Sequence, residues 1–210
     1  MRTLLPLALT LPFLQPACLP PEPPLMAHFQ SLETSDTVSV PIDYDWEPTD
    51  TIPIADLVGS LPDTLLTILG GFGLEDEVVS EGGWRVQLDE GHDLCLVNQR
   101  ESWFVTRNGL IYDRQAGAFT GLAELAYFIG GEGSQIIAAS WLFDADADGD
   151  LDLLTRYLER YYRPWIMDED SAEVLIEGVG LKYWTPQGYQ EGEVSDSAAL
   201  IRAFPVDWGW

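Results

Sequence analysis

Apolar positions recur along the chain with two different periods, and these divide it into elements. Val38, Val40 and Ile42 alternate with polar residues, which predicts a short strand ahead of the acidic turn Asp43-Tyr44-Asp45. Between Ile54 and Leu69, the cluster Leu65, Leu66, Ile68 and Leu69 behind Asp63 predicts a helix, capped by that aspartate and ended by Gly70-Gly71-Phe72-Gly73. A β-meander follows. Trp84, Val86 and Leu88 alternate, residues 94–97 form a second strand, and the runs 103–106 and 110–112 flank Arg107-Asn108-Gly109. Asn-Gly between apolar runs predicts a hairpin turn, because both residues tolerate positive φ. Thr120 is placed to cap a helix that runs to about Ile129, with Leu122, Leu125, Ala126 and Ile129 on one face and Gly130-Gly131 as its stop.

Further on, Leu154, Tyr157, Leu158 and Tyr161 fall at i, i+3, i+4 and i+7, which predicts a helix stopped by Pro164. A strand also fits, since Leu151, Leu153, Thr155 and Tyr157 alternate; the helix is the preferred reading. Residues 174–184 and 200–204 complete the chain as strands. The fold class expected is α+β: an antiparallel meander with two or three helices, in one globular domain over 38–210, with no internal repeat.

The N-terminus adds an address. Met1-Arg2 precedes an apolar run, Thr3–Leu14, too short to cross a bilayer but suited to a secretory signal peptide over 1–17. Gln15-Pro16-Ala17 then leads to Cys18, and a small residue before a cysteine resembles the processing site of bacterial lipoproteins. That resemblance implies lipidation of Cys18; ordinary cleavage nearby is the alternative. Within 18–37, L-P-P-E-P-P at 19–24 is a stiff extended spacer suited to a tether. The other cysteine, Cys95, reads as a buried hydrophobe, or as a disulfide partner if Cys18 is unmodified. The expected location is the cell envelope or the outside of the cell.

Charge narrows the partners. Thirty-five acidic residues face ten basic ones, a formal net charge of −25. Such a chain is repelled by nucleic-acid phosphates and anionic lipid, and attracts cations and basic proteins. Apolar residues make up 46% of it, enough for a packed core.

The most pointed chemistry lies in F-D-A-D-A-D-G-D-L-D-L-L, residues 143–154, where Asp144, Asp146, Asp148, Asp150 and Asp152 alternate around Gly149. Ca²⁺ takes six to eight oxygens, and a chain wraps it with donors at alternate positions if a glycine makes the turn at the sixth. Asp144 as position 1 puts Gly149 at position 6 and an inward-facing Leu151 at position 8. An EF-hand would need Glu at position 12, where Thr155 stands. The stretch resembles instead the D-x-D-x-D-G-x-x-D loops of FG-GAP and VCBS-type repeats, as in integrin-like propellers, and more distantly a dockerin loop. The resemblance implies Ca²⁺ held by the side chains of Asp144, Asp146, Asp148 and Asp152 and the carbonyl of Asp150. It covers one loop, and one copy builds no propeller. Arg156, read as one helical turn past Asp152, is placed to offset the excess negative charge.

Other chemistry is thin. His92 and Cys95 lie three apart without a second pair for zinc. Trp184, Tyr189, Trp208 and Trp210 are aromatic candidates for sugar contact or core. The expectation is an exported, calcium-stabilised, non-catalytic domain that binds or scaffolds an extracellular protein or carbohydrate. The alternatives are a secreted carboxylate-dependent hydrolase of the glycosidase type and an acidic inhibitor of a basic partner.

Overall fold

The computed structural model describes residues 21–33, 37–69, 78–102, 104–131, 134–162 and 173–208. The signal segment, Cys18, the glycines expected to stop the first helix, Pro164 and Trp210 lie outside them. Ten strands make one sheet: β1 (Gln30–Ser31), β2 (Val38–Val40), β3 (Val78–Gln87), β4 (His92–Glu101), β5 (Phe104–Asp113), β6 (Ala118–Gly131), β7 (Ser134–Phe143), β8 (Asp152–Tyr162), β9 (Glu173–Tyr183) and β10 (Gln190–Glu191). From β3 to β10 each strand pairs antiparallel with the next, β1 adds in parallel to β3, and β2 pairs with β7. Among the described residues three seven-residue α-helices accompany the sheet, α1 (Ile54–Ser60), α2 (Asp63–Leu69) and α3 (Ser197–Ala203), with a short 3-10 helix at Pro24–His28.

β4 shows why the sheet has two cores. Its Leu94 and Leu96 join Val40, Val86, Leu125, Leu142, Leu153 and Trp184 in one apolar cluster. Its Cys95 and Val97 join Leu110, Tyr112 and Phe119 in another, closed by Leu57 of α1, Leu65 and Leu69 of α2, and Leu25 and Met26. A strand buried on both faces reads as a continuous apolar run, and β4 does. The first cluster draws residues from both β3 and β8, so the sheet curls around a shared core, and Leu151 N, just before β8, donates to Leu88 O, just after β3, at 3.1 Å. Within the expected lead-in, Leu25 is fully buried, so part of that stretch belongs to the packed domain.

Several elements differ from the sequence expectation. The first helical region is two helices, broken where Leu61 takes the extended conformation demanded of a residue before proline, and Asp63 opens α2 instead of capping it. Arg107-Asn108-Gly109 is no hairpin turn. It lies inside β5, neither Asn108 nor Gly109 has positive φ, and Gly109 is required by crowding: a Cβ there would lie 2.6 Å from Leu94 Cδ1. The helix expected over 120–129 is the centre of β6, and the segment after the aspartates is β8, the reading ranked second. Residues 200–204, expected as a strand, belong to α3 and its end. Asp196 caps α3, its side chain accepting from Ala199 N at 2.9 Å.

Candidate metal centre

The aspartate stretch is the connection between β7 and β8. Two residues in it have positive φ, Ala147 at 66° and Gly149 at 96°, and they turn the chain back on itself. The loop's own amides then point at its carboxylates. Asp148 N donates to Asp144 Oδ1 at 3.1 Å and to Asp146 Oδ1 at 3.3 Å, Gly149 N to Asp144 Oδ2 at 3.1 Å, and Asp150 N to Asp148 Oδ1 at 2.9 Å.

Asp152, the first residue of β8, closes the loop from below. It is 1% exposed. Its Oδ2 accepts from Ala145 N at 2.9 Å and its Oδ1 from Trp184 N at 2.8 Å. The result is a convergence: one carboxylate oxygen each from Asp144, Asp146 and Asp152 lie within 4.8 Å of one another. The carboxylates of Asp148 and Asp150 fall outside this group. They line a neighbouring open cleft of about 790 Å³, together with Asp89 and Glu90. Leu151 packs against the first apolar cluster, facing inward as expected, and its carbonyl accepts from Tyr189 Oη at 3.1 Å.

The electrostatics follow from that crowding. Burial pushes the Asp152 carboxyl up; amides of Trp184 and Ala145 pull it down, and the charges of Asp146 and Asp148 add to the rise. Burial also raises Asp150, followed by the charges of Asp148, Asp89, Asp152 and Asp144. Arg156 does not relieve them. Because β8 is a strand, its guanidinium sits elsewhere, bonded to Glu177 and to the carbonyls of Ile201 and Phe204. Among the described residues none of the three converging carboxylates is in an ion pair. Three anionic oxygen donors, with no nitrogen or sulfur beside them, suit a hard divalent cation.

One part of the site had no trace in the sequence pattern. Asp89, in the turn after β3, accepts from Trp184 Nε1 at 2.7 Å, His92 Nδ1 at 2.9 Å and Gly91 N at 2.6 Å. Burial raises its carboxyl, but these bonds prevail and hold it below the usual range. Trp184 thus bridges two carboxylates, Asp152 through its backbone and Asp89 through its indole. His92 is committed to Asp89, while Cys95 is fully buried beside Met26 Sδ, its thiol pushed up to about 12, so the two do not form a zinc pair. Trp184 and Tyr189 are core aromatics stacked edge to face, and Trp208 lies over Arg156. Comparison with protein families, characterised proteins and solved structures finds no match to this chain.

Proposed function

We propose that the chain is an exported, non-catalytic binding domain, tethered through Cys18, in which the turn between β7 and β8 takes up one Ca²⁺. The observation that carries the cation is the convergence of Asp144, Asp146 and Asp152, the last of them anchored to two backbone amides. Asp144 and Asp146 would supply exposed carboxylates and Asp152 a buried one. A bound Ca²⁺ supplies the positive charge that this set otherwise lacks and ties the β7–β8 hairpin to Trp184. The carboxylates held above their ordinary range among the described residues, Asp150 in this turn and Asp152 where it enters β8, both lie at the candidate cation site, which favours a cation role over that of a general acid.

Thermal melting in millimolar Ca²⁺ against excess chelator tests the reading. At 100 times Kd the folded state gains about 2.7 kcal/mol, a shift on the order of 5–10 °C for a domain of this size. Asp144→Asn with Asp146→Asn keeps the shape and removes two charges, and the shift is expected to vanish. An unchanged melting temperature for the wild type, with no heat on Ca²⁺ titration, refutes it.

A further inference from the structure

A second cleft, of about 460 Å³, shares no residue with the one beside the aspartate turn. It forms where the pairing of β3 with β4 shifts register between Gly82 and Arg85, a bulge that turns Trp84 into its wall. Asn98 on β4 and Arg107 on β5 stand directly opposite each other and supply its polar groups.

Both groups are under-used. Arg85, Arg100, Arg114, Arg156 and Arg160 each pair with a carboxylate. Arg107 pairs with none among the described residues, in a chain with 35 acids. Its Nη1 donates to Pro41 O at 2.7 Å, and its Nε is buried without a partner, as are those of Arg100 and Arg156, so the missing carboxylate is what sets Arg107 apart. Burial pushes its pKa down, with Asp43 too far to form an ion pair. Asn98 is 9% exposed, and its Oδ1 is also buried without a partner. The neighbouring amides behave differently: Asn108 Nδ2 donates to Gln99 Oε1 at 3.0 Å. A half-buried guanidinium with no carboxylate partner, beside an amide oxygen with no donor and an indole, leaves hydrogen-bonding capacity that a ligand could complete.

We propose that this cleft binds a small carboxylate-bearing sugar of the uronic acid class, its carboxylate on Arg107, a ring hydroxyl donating to Asn98 Oδ1 and the apolar face of its ring on Trp84. Guanidinium forks match carboxylates with two parallel bonds. The rim adds Gln30 and Ser31, side chains suited to ring hydroxyls. A net charge of −25 repels long polyanions, which favours a monosaccharide or a chain end. This gives the binding role a ligand class without resting on the bound cation.

The test is calorimetric titration with sodium D-glucuronate, D-glucose and benzoate, with the Trp84 indole N–H followed by NMR. Glucuronate is expected to bind saturably and shift the Trp84 signal, with glucose and benzoate at least tenfold weaker. Asn98→Asp places a carboxylate opposite Arg107, so the guanidinium is satisfied internally. Glucuronate affinity is expected to fall at least tenfold while the melting temperature holds or rises, which separates lost binding from lost folding. Trp84→Leu is expected to weaken glucuronate without restoring glucose. The titration is repeated in chelator, where binding is expected to persist whatever the fate of the Ca²⁺ reading. No glucuronate binding by the wild type at millimolar concentration, tighter binding of benzoate, or an Asn98→Asp variant that binds as the wild type does would overturn the proposal.

Discussion

Two residues apart in the aspartate turn, the same backbone demand is met in opposite ways. Gly149 at φ 96° has nothing within 4 Å of where a Cβ would be, so the cost of a side chain there is conformational alone. Ala147 at φ 66° already carries such a cost. Gly149→Ala is therefore expected to destabilise by about 1–2 kcal/mol, and Ala147→Gly to stabilise by several tenths to about 1 kcal/mol. Denaturant midpoints in chelator measure both, and two changes of the same sign would refute the account. Gly149 was legible in the sequence because the alternation of aspartates marks the turn and only glycine takes the central position cheaply. The different fates of the five aspartates were not legible. Alternation alone does not say that Asp152 belongs to the next strand, where burial and two amides fix it, or that Asp148 and Asp150 turn toward Asp89 across the cleft. Asp89 and Trp184 lie 95 residues apart, and no local pattern records their bond.

At the scale of elements, the misread segments share a physical cause. Leu122, Leu125, Ala126 and Ile129 have helical spacing, yet they lie in a strand whose pairing with β5 shifts register between Arg107 and Asn108. Leu122 packs on the second apolar cluster while Ala123, Leu125 and Ala126 join the first, so burial on both faces together with the extra residue Leu125 at the bulge imitates i, i+3, i+4. Burial on both sides blurs β8 in the same way: Leu153 and Leu154 are adjacent and both buried. With antiparallel partners on each side, β6 and β8 gain ladder bonds that outweigh the helix preference of Ala, Leu, Glu and Arg. The cap of α3 had a legible signal, an aspartate three residues before Ala199 and ahead of an apolar pair, which strand periodicity overrode. That helix is held by Arg156, 3% exposed, which reaches the carbonyls of Ile201 and Phe204, bonds Glu177 and lies 5.6 Å from the Trp208 ring. Phe204 completes the attachment by stacking on Phe143. Arg156→Met keeps much of the stem but leaves two carbonyls without their donor, while the exposed Glu177 is solvated, at about 1–3 kcal/mol. Hydrogen exchange is expected to show α3 amides losing protection while β4 and β5 keep theirs. Equal loss across the molecule would mean that Arg156 supports the whole fold, and unchanged α3 protection that it holds nothing.

For the whole molecule the dominant fact is the imbalance of 35 acids against 10 bases, most of the described bases being already paired. The surplus carboxylates repel one another, and the compact state brings them closer than the unfolded chain does. Salt shortens the range of that repulsion from roughly 30 Å at 0.01 M to roughly 10 Å at 0.1 M. The melting temperature in chelator is therefore expected to rise across this range, against the usual weak response of a surface of mixed charge. Mild acid acts in the same direction, since each carboxylate that protonates removes a repelling charge. The opposing limb comes from the carboxylates held below their usual range. Burial raises Glu81, but bonds from Thr49 Oγ1 at 2.7 Å, Thr49 N at 3.2 Å, Asp50 N at 3.1 Å and Trp46 Nε1 at 3.0 Å overcome it. Asp89 is held low by its own set of donors. A depressed carboxyl contributes stability that is fully present above its unfolded pKa, about 4, and is lost as pH falls through the lower folded value. Stability in chelator should then climb from pH 7 toward 5 and fall below about pH 4. Glu81→Gln keeps the size of the side chain but removes the charge that its donors address. Its profile should start lower at neutral pH and decline less steeply in acid. A wild-type profile that falls steadily from pH 7, or a melting temperature that drops as NaCl is added, would show that the surplus charge does not govern the stability of this fold.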